Sequence, residues 1–393
     1  MTRGDGTRGK GRVTLVTTHW GDPADEETEV TRLLAGALAR GARVEVVHLV
    51  VPPERLGTVR DSVFTVHRVP LHGARPLRSG LLRGALSVHD GGRSVPGVAA
   101  DLLERLAGSA PEAPAAIQST SPDAVVLAGH DQPFDPSVLG ERGAEGAPRV
   151  VLLPYASDRV LLSSPPLARL VARSDVVATS HSGEERALLA THPGVADRLE
   201  PLRPAYSVNR GAAANRLFGV RFFGTYVLTI RCFPPGGGRW ERSLTHDALR
   251  ATVGDVSVAE VDGKRWRISD RENTLELPVS PSRVNLWRLM SHALATIDLR
   301  PAGPLGREAV ESMLLGTPVL VPDPSAAKEH AADADGGLWY RDLGELVDAA
   351  RVLTDRSIRS RIAAQARAWA EANHGDMDAF VERALRVVLG PGL

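Results

Sequence analysis

Short apolar runs alternate with amphipathic segments along most of this chain. RVTLVTT reads as a buried strand over Arg12 to Thr18, and EVTRLLAGALARG repeats its apolar residues at helical spacing until Gly41 stops it. ARVEVVHLVV is the next strand, so the chain opens as a βαβ unit, which predicts a parallel sheet with a right-handed crossover. SPDAVVLAG, APRVVLLPY and SDVVATS supply three more buried strands. Residues 70–120 are rich in Arg, Gly and Pro, with one helical segment at VAADLLERLAG. Around Pro201 to Gly219 the periodicity dissolves, as expected of a connection between domains. A second α/β series follows: strands at TYVLTIR, VGDVSVAEV and NTLELPV, a helix at SRVNLWRLMSHA, and short buried strands at ATIDLRP and VLVP. Asp262 to Thr274, DGKRWRISDRENT, is polar enough to be expected outside the core. Two helical segments, SIRSRIAAQARAWAEAN and MDAFVERALRVVL, close the chain, and no repeat of solenoid period is visible.

Composition narrows this picture. A length of 393 residues suits two domains, and 43% hydrophobic with 24% charged residues is the balance of a soluble globular protein. Basic and acidic residues number 47 each, so no global field argues for nucleic acid or membrane. Cys232 is the only cysteine, which excludes an internal disulfide framework and a thiolate zinc site and fits a reducing cytoplasm. The basic N-terminus lacks a hydrophobic signal core and reads as a disordered leader over residues 1–11. Lys10, Lys264 and Lys328 are the only lysines, a bias expected of a GC-rich genome.

The candidate chemistry is concentrated in residues 300–340. A loop ends in Gly306, a short helix carries Glu311, a GTPV turn follows, and then the strand VLVP. A loop feeding a helix N-terminus presents unpaired N–H groups and a positive dipole end, which suits a diphosphate. A carboxylate one turn further in, at Glu311, suits a ribose diol. An ordinary βα unit is the plain alternative. No HExxH, GxSxG elbow or GxGxxG after the first strand is present, which argues against a zinc protease, an α/β-hydrolase and a Rossmann dehydrogenase.

The order of motifs resembles the retaining glycosyltransferases of family 4. PDAVVLAGH and SDVVATSHSGEERALL resemble the family's N-domain strands, GREAVESMLLGTPVLVP its donor-site segment, and GGLWYRDLGELVDAARVLTD its following strand and helix. The resemblance implies a GT-B fold, α/β, with two Rossmann-like domains whose parallel sheets face a cleft. The acceptor domain is expected over residues 12–205, a linker over 206–222, and the donor domain over 223–375. Residues 376–393 would form a final helix returning to the N-terminal domain, and the cleft would close about residues 201–222.

Residue by residue, the resemblance places Glu311 at the ribose and Gly306 at the donor phosphates. Thr317 falls in the adjoining turn, where a structural role is the simpler expectation. Arg231 and Arg239 fall on the basic pair that neutralises the departing diphosphate, with Arg239 standing where the family carries lysine. Fixed cations in a dry site stabilise that developing charge without reorganising. Asp158, a catalytic candidate with Arg231 and Arg239, is the retained half of a His-Asp pair close to the sugar whose histidine is here Ser157. His19 and Gly21 fall in the acceptor or phosphate loop after the first strand, although His19 and Trp20 also read as a packing pair. Glu308 lies three residues before Glu311 on roughly the same helix face, and either enters the pocket from another angle or, the simpler expectation, faces solvent.

Three departures accompany the resemblance. Gly303 stands where the family's first donor-site glutamate is expected, Ser157 replaces the histidine, and Ile230 replaces a glycine beside Arg231. The implied activity is transfer of a sugar from a nucleotide-sugar, with retention, to a small-molecule or cell-envelope glycan acceptor. The alternative is a catalytically impaired GT-B protein that binds a nucleotide-sugar as partner or scaffold; a sugar-nucleotide epimerase lacks its acidic and histidine residues. No metal and no further cofactor are implied, and no nucleic acid. A cytoplasmic location, with peripheral contact at the inner membrane face, is compatible with the Arg-rich loops of residues 70–95. The donor base, the sugar and the oligomeric state are not set by the sequence.

Overall fold

The computed structural model describes residues 11–18, 20, 26–50, 57–61, 63–71, 110–129, 132, 134–156, 162–217, 220, 225–231, 247–251, 256–262, 265–270, 273–277, 282–299 and 305–391. The chain divides into two compact units, one running to Pro204 and including Asp378–Leu393, the other Ala205–Met377.

The first unit is built on an eight-stranded sheet of order β3-β4-β2-β1-β5-β6-β7-β8. Its strands are β1 (Arg12–Thr17), β2 (Arg43–Val50), β3 (Gly57–Asp61), β4 (Phe64–Pro70), β5 (Ala124–Ala128), β6 (Arg149–Leu153), β7 (Val176–Thr179) and β8 (Leu199–Pro201). Every pairing is parallel except the β3–β4 hairpin at one edge. The inner strands are covered on both faces, so they read as continuous Val, Leu and Ala runs. Helices α1 (Glu26–Leu38), α2 (Ala113–Ser119), α3 (Pro165–Arg173) and α4 (Ser182–Thr191) lie between strands. Ile117 of α2 and Leu167 and Leu170 of α3 enter a core with Val16, Leu127 and Leu152. Helix VAADLLERLAG, expected in residues 98–108, lies outside the described residues.

The second unit carries a seven-stranded sheet of order β12-β11-β10-β9-β13-β14-β15. Its strands are β9 (Tyr226–Arg231), β10 (Ser257–Asp262), β11 (Arg265–Ser269), β12 (Thr274–Glu276), β13 (Thr296–Asp298), β14 (Val319–Pro322) and β15 (Gly337–Tyr340). From β10 to β15 along the sheet the pairings are parallel; β11 adds antiparallel to β10, and β12 antiparallel to β11. Its helices include α5 (Arg210–Ala213), α6 (Arg283–Met290), α7 (Arg307–Leu314), α8 (Ala326–Asp333), α9 (Leu343–Val352) and α10 (Arg356–His374).

β11 corrects one expectation. DGKRWRISDRENT was expected outside the core, yet Trp266 and Ile268 are buried in it. Arg267 points to the other face, where its Nε donates to Glu260 Oε2 at 2.7 Å, directly opposite on β10. The net polarity of the segment hid a period-two strand whose polar face is paired across the sheet.

The segment expected as a linker is packed into the second unit over much of its length. Arg288 Nε and Ser291 Oγ donate to the carbonyls of Ala212 and Ala213 in α5, and Arg210 donates to Leu314 O at the end of α7. The last helix, α11 (Met377–Leu389), belongs to the first unit. Asp378 accepts from Arg40 at 2.8 Å, and the side chain of Leu385 fills the space beside Gly41.

α10 approaches β15 so closely that a Cβ at Gly336 would collide with the backbone of Ala366. Gly336→Ala is therefore expected to push helix and strand apart and lower stability by about 1–3 kcal/mol, read by urea denaturation.

Candidate functional site

In both sheets the chain order reverses beside the first strand, β1 with neighbours β2 and β5, and β9 with neighbours β10 and β13. Loops leaving the carboxyl ends of such strands diverge and open a crevice, the usual place for a ligand in open α/β sheets.

In the second unit, β9 ends at Arg231 and β13 ends at Asp298, both at the carboxyl edge of the sheet. The chain then enters α7 through Gly306, whose φ of 64° is left-handed. A Cβ there would sit 2.8 Å from both N and Cα of Ala327 on α8, so only glycine fits the conformation and the space together. Helices α6, α8, α9 and α10 are N-capped by Ser282, Ser325, Asp342 and Asp355. α7 has glycine at that position, which supplies no side-chain oxygen to its first turn.

Glu311 projects from α7 and is completely buried. Its Oε1 accepts from Arg283 Nε at 3.2 Å and from Arg307 Nε at 2.9 Å, and its Oε2 accepts from Trp287 Nε1 at 3.1 Å. One carboxylate thus ties two residues of α6 to the first turn of α7. Glu308 does not face solvent as expected: its side chain is 13% exposed, and Oε1 accepts from Arg283 Nη1 at 2.9 Å. The shared helix face brings both carboxylates to the same guanidinium. Thr317 lies apart from this group. It precedes β14, at the amino edge of the sheet, and its buried hydroxyl donates to Met290 O at 2.8 Å.

Of the residues singled out in the sequence, Gly306, Glu308 and Glu311 come together on α7, and β9 ends at Arg231 on the same edge of the same sheet. Arg239, Asp158, His19 and Gly21 lie outside the described residues, as do Gly303 and Ser157. Ile230 is buried in the core. Trp20 takes the packing role: its ring meets Phe64 edge-on at 5.6 Å, and its Nε1 donates to Asp61 at 3.0 Å.

The first unit holds a buried carboxyl that sequence reasoning missed. Glu184, in the first turn of α4, accepts from Ala156 N at 2.9 Å, Ser180 N at 2.7 Å and Ser180 Oγ at 2.8 Å. It therefore joins the segment after β6 to the end of β7, next to Tyr155, whose φ of 52° is unusual for a bulky residue. His181 is the N-cap, its Nδ1 accepting from Glu184 N at 3.2 Å. The signal was present as HSGE, a capping-box spacing, but histidine in place of Ser or Thr concealed it. Burial pushes the Glu184 carboxyl up to about 7 against the pull of its hydrogen bonds, and the charge of buried Glu27 adds to the rise. Among the described residues no group of three or more His, Cys, Asp or Glu is placed to hold a metal ion.

Two outcomes follow from these carboxyls. Glu311→Ala removes the carboxylate shared by two guanidiniums and an indole N–H, and is expected to cost about 3 kcal/mol by chemical denaturation. For Glu184, the native acid keeps its proton up to about 7 while the unfolded acid releases it near 4.5. Stability should therefore fall by about 3 kcal/mol as pH rises through that window and level off above it. Glu184→Gln should remove this slope, measured as unfolding free energy against pH.

No family model matches the chain, and no curated protein matches it in sequence. Solved structures do resemble it. WaaG, a glycosyltransferase involved in lipopolysaccharide biosynthesis, superposes with a TM-score of 0.56 at 14% identity, over 96% of this chain and 100% of that one. Sucrose-phosphate synthase from Thermosynechococcus elongatus gives 0.60 at 14% identity, over 95% and 96%. HepE from Anabaena, in complex with UDP-glucose, gives 0.60 at 14% identity, over 95% and 98%. At such identities the likeness speaks for the fold alone. The chain has the GT-B architecture, with two Rossmann-like α/β domains.

Proposed function

We propose that this protein is a glycosyltransferase that moves a sugar from a nucleotide-sugar donor, bound by the second unit, to an acceptor, with retention of anomeric configuration. The observation that carries the reading is the glycine-capped N-terminus of α7, at the carboxyl edge of the sheet where β9 also ends at Arg231. A helix N-terminus whose cap residue carries no side-chain oxygen, the helix dipole and an arginine together suit a diphosphate. HepE, of the same fold, was solved with UDP-glucose.

In this proposal the bond from the anomeric carbon to the diphosphate breaks, and the bond to the acceptor oxygen forms on the same sugar face. The acceptor proton passes to the departing phosphate, so no protein base is required. Arg231, with Arg239, balances the charge that develops on the diphosphate, and the proposal includes no metal. Glu311 is assigned to the ribose. Three of its roughly four acceptor directions are taken by Arg283, Arg307 and Trp287, so a ribose hydroxyl has the remaining one on Oε2, once the cover over this buried group moves aside. Asp158 is assigned to catalysis close to the sugar, His19 and Gly21 to the acceptor or phosphate loop, and a cytoplasmic small-molecule or cell-envelope glycan is the acceptor class.

The second reading is a nucleotide-sugar-binding partner protein without turnover. A thermal-shift panel of UDP-, GDP-, ADP- and dTDP-sugars, followed by donor hydrolysis on each hit, separates the two. The enzyme is expected to hydrolyse the stabilising donor, and Arg231→Ala to lower that rate about a hundredfold or more. Binding without hydrolysis or transfer would leave the partner reading, and no stabilisation by any donor would sink both.

A further inference from the structure

Immediately behind Gly306, within the second unit, lies a cluster of rings with no part in the reading above. His330 of α8 and His374 at the end of α10 are buried, with ring centroids 5.1 Å apart and planes at 90°. Trp369 meets both rings, at 5.7 and 5.2 Å. Tyr206 stacks on His374 at 5.9 Å, and the guanidinium of Arg307 lies 5.3 Å from the Tyr206 ring centroid. An apolar side chain would fill the place of His330 equally well, and burying an imidazole is costly unless it is hydrogen-bonded. Its Nε2 lies 2.9 Å from Leu305 O. A carbonyl only accepts, so Nε2 carries the proton and donates.

That bond bears directly on the loop. In a planar trans peptide the C=O and the following N–H point in opposite directions. Holding the Leu305 carbonyl toward α8 therefore aims the Gly306 N–H away from α8. The same residue packs its backbone against α8, with His330 Cδ2 3.1 Å from where a Cβ would be. The aim of one N–H at the α7 terminus is thus set by a side chain one helix away.

We propose that His330 is a positioning residue for the donor diphosphate, acting through the Leu305–Gly306 peptide. This rests on the donor reading given above. It makes His330 matter to the phosphates and leaves the base and ribose alone.

The test is calorimetric titration of the purified protein with UDP, GDP, ADP and dTDP, and with the nucleoside of whichever binds. His330→Leu fills the space without a donor and is expected to bind the nucleoside diphosphate about tenfold more weakly, with nucleoside affinity unchanged. His330→Gln, whose amide N–H reaches the Nε2 position, is expected to restore diphosphate affinity. Unchanged diphosphate affinity in His330→Leu, or equal losses for diphosphate and nucleoside, would overturn the proposal while the donor reading stands. Should the leucine variant not fold, Gln against the shorter Asn decides, and equal diphosphate affinity in the two overturns it. If the wild-type protein binds none of the four diphosphates, the donor reading falls and takes this proposal with it.

Discussion

Parallel pairing is the constraint from which the rest of each unit follows. A strand that runs beside its predecessor in the same direction forces the chain back across a face of the sheet, usually as a helix, before it can pair again. All the outgoing loops therefore gather at one edge. In the second unit β9 lies between β10 and β13, the switch point at which open α/β sheets usually bind a ligand, and its last residue is Arg231. The α7 terminus is delivered to the same edge because α7 is the crossover between β13 and β14. Thr317, at the far end of that crossover, is carried to the opposite edge.

Within this frame the α6–α7 contact is fixed by charge. Glu311 is buried on α7 and would be costly to hold as a lone anion. Arg283, Trp287 and Arg307 offset that cost, and in doing so they set how α6 lies against α7. The arrangement commits this carboxylate to its neighbours. Under the proposed donor reading, a ribose contact would share this group with the packing it maintains, which would couple binding to the stability of the helix pair.

The first unit shows the same economy in another form. Glu184 uses both oxygens to gather backbone N–H groups from the ends of β6 and β7. An exposed carboxylate would do little there. Burial makes its protonation a property of the folded state, raised to about 7.

Strands and helices with a strong period were legible in the sequence because burial on one or both faces writes itself directly into residue order. MDAFVERALRVVL coincides with α11 and VLVP with β14. The turn at Gly306 and the shared face of Glu308 and Glu311 were legible as well, because a left-handed turn into a helix needs glycine and the helical period sets residues three apart on one face. RWRIS was misjudged because a strand's alternation was read as bulk polarity, and Glu184 was missed because two of its three donors are the backbone N–H groups of Ala156 and Ser180, which any sequence has. The sequence by itself therefore determined the order of elements and the residues at the strand ends. Only the tertiary structure decided what those residues meet: that Glu308 pairs with Arg283, that Glu311 is covered, and that His330 holds Leu305. Periodicity is local along the chain, whereas these contacts join segments from separate crossovers whose meeting depends on how the helices pack.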